Sequence, residues 1–111
     1  MSADIAEVRE EGGAQVVSVR ADVDMHRSPE LHQVLLEVCR SEPSRLIVDL
    51  ASVEYMDSSG VGTLVEVFRR VKSYQGELFL VGMQPRVRGV FEITKLDKFF
   101  DIRETVAEAL S

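Results

Sequence analysis

Asp57-Ser58-Ser59 brings three short oxygen-bearing side chains to a predicted helix start, directly after the apolar run Leu46-Ile47-Val48-Asp49-Leu50 and a short polar break. Such side chains accept hydrogen bonds from the unpaired N–H groups of a first helical turn, and helical apolar spacing begins immediately afterwards, at Val61, Leu64, Val65, Phe68 and Val71. One serine can cap the helix while the other stays free. A hydroxyl held there lies near exposed N–H groups and the positive end of the macrodipole, which favour an anion, so an added phosphate need not unfold the domain. Ser58 is therefore a candidate switch. The competing explanation for Ser58 is a plain N-cap.

Other chemistries lack their parts. A serine hydrolase needs a base beside its nucleophile, yet the chain has two histidines, His26 and His32, and no G-x-S-x-G turn. Cys39 is the single cysteine, and His32 has Ser28, Leu35 and Leu36 as helical neighbours, so no metal site and no cofactor are expected. A nucleotide-hydrolysing P-loop is absent from the sequence. The chain is not expected to be an enzyme. Cys39 reads as a small core residue, and His26 and His32 as surface residues.

Strands alternate with helices around the candidate site, which indicates an α/β domain. Ile5 to Arg9 and Gln15 to Val19 read as an antiparallel pair across Glu10-Glu11-Gly12-Gly13. A loop over 21–27 carries Asp22, Asp24 and Met25, and Ser28-Pro29 then supplies a helix cap and a proline at the first helical position. Leu31, Val34, Leu35 and Val38 give that helix one apolar face. Leu46 to Leu50 is apolar at consecutive positions, as in a parallel strand covered on both sides. After the Ser58 helix come the strand Glu77 to Val81 and a short helix opened by Gln84-Pro85. A connector with a final edge strand around Ile102 follows, then a terminal helix over Glu104 to Leu110.

Gly60 and Gly62 stand out within the first turns of the second helix. Glycine weakens a helix by about 1 kcal/mol relative to alanine, so both imply either tight internal packing or close approach by a partner. Met25 and Met56 flank the two loops; their flexible thioethers suit core filling or an adaptable partner surface.

The 111 residues fit a single domain over 1–111, large enough to bury a core without staples. A formal net charge of -6 opposes direct nucleic-acid binding. The clusters Arg69-Arg70 with Lys72, and Arg86 with Arg88, read as solvated helix faces. No apolar stretch approaches the roughly 18 residues a membrane span requires, and Met1 to Glu11 lacks the basic segment and apolar core of a secretory signal. A cytoplasmic protein without membrane insertion is expected.

Asp57-Ser58-Ser59-Gly60-Val61-Gly62, with the strand before it and the helix and strand after it, closely resembles the STAS domain family, and within it the bacterial anti-sigma factor antagonists. The order of elements can be followed from about Ile5 to Leu110. The resemblance implies a mixed β-sheet with helices mostly on one face. It implies phosphorylation at Ser58, with Ser59 the runner-up acceptor, by a partner anti-sigma serine kinase, which the unphosphorylated protein binds so that a sigma factor is released for transcription. A serine phosphatase would reset this partner switch. Asp22, Asp24, Met25, Met56, Asp57, Ser59, Gly60 and Val61 would then form or support the partner surface. The alternative is an unswitched STAS adaptor in a signalling assembly or transporter complex.

Overall fold

The computed structural model describes residues 4–111. Strands β1 (Ala6–Glu11) and β2 (Ala14–Val19) form an antiparallel hairpin, and helix α1 (Ser28–Cys39) leads to β3 (Arg45–Asp49). Helix α2 (Ser58–Ser73), β4 (Glu77–Val81), α3 (Pro85–Ile93), a 3₁₀ turn (Leu96–Lys98), β5 (Asp101–Arg103) and α4 (Val106–Leu110) follow. The hairpin differs from the sequence expectation in where it turns. Glu10 and Glu11 pair with Gln15 and Ala14, leaving a two-residue turn whose glycines take φ of 57° and 82°, angles that suit the twist of adjoining strands and favour glycine.

The sheet runs β1-β2-β3-β4-β5, with β2 to β5 parallel. Parallel neighbours joined in strict sequence need one crossover each, and the right-handed preference of such crossovers sends their helices to the same side. Accordingly α1, α2 and α3 share one core with Val17, Val19, Leu46, Val48, Leu50, Leu78 and Leu80. The alternate strand residues Val16, Ile47, Phe79 and Val81 face the other way, onto Val106, Ala109 and Leu110 of α4. This is the expected mixed sheet with helices mostly on one face. Five residues are too few to hold a helix alone; Arg45 Nη1 secures α4 by donating to the carbonyls of Ala109 at 3.0 Å and Leu110 at 3.1 Å. Cys39 is fully buried as expected, and of the Phe99-Phe100 pair Phe100 completes the core while Phe99 stays 44% exposed. No helix among the described residues is long and apolar enough to cross a membrane.

The two glycines of α2 separate into different cases. A Cβ on Gly60 would lie 2.6 Å from Met56 Cγ and 2.9 Å from Val23 Cγ1, so this glycine lets α2 seat against both loops. A Cβ on Gly62 would meet nothing within 4 Å. Gly60→Ala should cost about 1 to 3 kcal/mol through overpacking, whereas Gly62→Ala should raise the melting temperature by roughly 4 °C through helix propensity. Thermal unfolding of both variants checks this, and shifts in the same direction would contradict it.

Candidate functional site

Asp57 is the N-cap of α2, with extended backbone and a side-chain oxygen that accepts the Ser59 N–H at 2.9 Å. Its carbonyl accepts the N–H groups of Gly60 and Val61, at 3.1 and 3.2 Å. The expectation that one of the serines caps is thus corrected: the aspartate is the stronger acceptor and sits one residue earlier. Ser58 becomes the first helical residue, exposed, and its hydroxyl makes no hydrogen bond among the described residues. Ser59 is half-buried.

The loop between β2 and α1 holds this helix start in place. One Asp22 carboxylate oxygen accepts the N–H groups of Glu54 and Tyr55, at 2.9 and 3.1 Å. Val23 donates to the Tyr55 carbonyl at 3.0 Å and accepts from the Asp57 N–H at 3.2 Å, making an isolated parallel bridge with Met56. Asp24 therefore follows directly on the residue bonded to Asp57. Both loops leave the C-terminal ends of parallel strands, where open α/β sheets gather their binding residues.

Asp24 does a different job from Asp22. Its carboxylate accepts the N–H groups of His26 and Arg27, both at 2.9 Å, while its carbonyl accepts from Arg27 and Ser28. The Arg27 N–H, chiefly, holds the Asp24 carboxyl below its usual value, against a smaller opposing effect of desolvation. Ser28 is consequently not the cap of α1, as its place before Pro29 had implied. It is buried as the first helical residue, and Asp24 satisfies the backbone ahead of it.

The proposed surface residues divide by depth. Asp22 and Met25 are exposed, Met25 at 67%; Asp24, Asp57 and Ser59 are half-buried; Met56, Gly60 and Val61 are buried beneath them. Met25 therefore presents its thioether to solvent while Met56 fills the core. The sequence reading missed Tyr55, which is 43% exposed beside the site; its place between the apolar strand and the DSSG run was the available signal. It also missed a groove of about 390 Å³ between α1 and α2, where Pro29 and His32 face Ser59, Gly62 and Thr63. His32 is more than a surface residue: its Nε2 lies 2.7 Å from the Glu66 carboxylate and ties the two helices together. No group of three or more metal-ligating side chains occurs among the described residues.

The STAS domain model matches residues 6–109. An anti-sigma-B factor antagonist of Listeria monocytogenes is 33% identical over 92 residues, covering 83% of this chain and 81% of its own length. The crystal structure of an anti-sigma factor antagonist from Mycobacterium paratuberculosis superposes with a TM-score of 0.87 at 31% identity, covering 99% of this chain and 96% of that one. The Bacillus protein SpoIIAA shares the fold at lower identity: its unphosphorylated form gives a TM-score of 0.76 at 22%, covering 95% of this chain and 92% of its own. Its phosphorylated form gives 0.71 at 20%, covering 95% and 96%. This chain belongs to the STAS domain family.

Proposed function

We propose that this protein is an anti-sigma factor antagonist whose unphosphorylated form binds an anti-sigma serine kinase and thereby releases a sigma factor. The kinase transfers a phosphoryl group from ATP to the Ser58 hydroxyl, ending the complex, and a serine phosphatase restores it. The observation that carries this reading is the exposed Ser58 hydroxyl, unbonded among the described residues, on a helix start already capped by Asp57. The names of its relatives support the same reading. The protein acts by binding, in the cytoplasm beside its transcriptional partners, and catalyses nothing itself.

The electrostatics explain how one group can reverse binding without disturbing the fold. Phosphorylation adds about 1.5 to 2 negative charges and three acceptor oxygens. Within the domain, the positive end of α2 contributes a few tenths to about 1 kcal/mol in favour of an anion there. That partly offsets repulsion from the nearby carboxylates of Asp22, Asp24 and Asp57. In a complex the same charge enters an interface that had closed over a neutral hydroxyl, where an unpaired charge costs several kcal/mol.

Binding of the purified kinase of the same cells, with and without ATP, tests the proposal. Ser58→Asp should weaken the complex on the order of a hundredfold. Ser58→Ala should stay bound and take no phosphate, and Ser59→Ala should still be phosphorylated. Wild-type affinity in Ser58→Asp would contradict the switch and leave the unswitched adaptor.

A further inference from the structure

We infer that Met25 is a second modification site on the same face, where oxidation of its thioether to the sulfoxide gives the domain a redox input independent of Ser58. The effect on partner affinity rests on the function proposed above; the selectivity of the chemistry does not.

Of the four methionines in the chain, three lie among the described residues. Met56 is 2% exposed and Met83 half-buried, whereas Met25 is 67% exposed. Its exposure is built in. Residue 25 sits in a turn closed by the Asp24 carboxylate on His26 and Arg27 and by the Asp24 carbonyl on Arg27 and Ser28. These bonds hold the backbone of the turn at the surface, and Met56 already fills the core beneath. Large apolar side chains held out in water at a rigid loop suit a contact surface, and the exposed Tyr55 lies on the segment to which this loop is bonded. Of the methionines at these two loops, Met25 is the one that a peroxide can reach, since Met56 is buried.

In the reaction the sulfur lone pair attacks one oxygen of hydrogen peroxide. The O–O bond breaks, an S–O bond forms, and the departing oxygen leaves as water after proton transfer. Sulfur loses two electrons and the peroxide gains them. A dithiol reductant reverses the step, yielding the thioether, water and a disulfide. The sulfoxide is polar and a strong acceptor, so an interface that buries the thioether loses affinity once it forms.

The full-length protein would be treated with hydrogen peroxide and mapped by peptide mass spectrometry, and kinase affinity measured before and after for wild type, Met25→Leu and Met25→Gln. The expected result is that Met25 oxidises ahead of Met56 and Met83. Wild-type affinity should then fall roughly tenfold, methionine sulfoxide reductase should recover it, Met25→Leu should respond no further to peroxide, and Met25→Gln should start low. Oxidation of Met56 or Met83 before Met25 overturns the inference. So does unchanged affinity of Met25-oxidised protein when Ser58→Asp still abolishes binding, an outcome that leaves the proposed function standing. If Ser58→Asp binds normally, the function itself fails; the peptide map then still reads the selectivity on its own.

Discussion

The position of the α2 start depends on the bonds between two loops that are far apart in sequence. Asp22 takes the N–H groups of Glu54 and Tyr55 on one carboxylate oxygen, and Val23 exchanges backbone bonds with Tyr55 and Asp57. Loops are usually the mobile part of an α/β domain, because their backbone groups are solvated. Here those groups are bonded to each other, and Met56 and Val23 pack under Gly60 with no room for a Cβ. The first turn of α2 is therefore placed by the core as well as by its own cap.

That placement separates structural work from signalling work. Asp57 accepts the Ser59 N–H and Asp24 closes the turn before α1, and neither serine hydroxyl of the DSSG run makes a hydrogen bond among the described residues. On the proposed reading, a phosphate on Ser58 would change what the surface presents and leave the sheet, its helices and the loop bonds in place. The magnitudes favour this division. A charge at a solvated helix terminus shifts stability by about 1 kcal/mol or less, while the same charge trapped unpaired in an interface costs several.

Most of the architecture was legible in the residues because period and punctuation agreed. The apolar run at β3, the stripe Leu64 to Val71 and the Gly12-Gly13 turn each point to one local structure, and the alternation of strands and helices from β2 onward fixes the layers through crossover handedness. What escaped was chosen by contacts between distant segments. Whether Asp57 or a serine caps α2, or Asp24 or Ser28 satisfies the start of α1, depends on which carboxylate the backbone brings within reach. Asp22 and Asp24 looked alike in sequence, yet one stitches loops and the other closes a turn. Gly60 and Gly62 looked alike too, and only the seat of Met56 and Val23 tells them apart. The pairing of His32 with Glu66 joins two helices across 34 residues and has no sequence signature.

The central claim is that phosphate at Ser58 acts at the surface of an unchanged domain, and amide chemical shifts of the phosphorylated and unphosphorylated protein test it most directly. The account predicts shift changes confined to the loop over 21–27, the segment 54–57 and the first turns of α2, with β4, β5 and α4 unmoved and the melting temperature nearly the same. Changes spreading through the sheet, or a large loss of stability on phosphorylation, would contradict it.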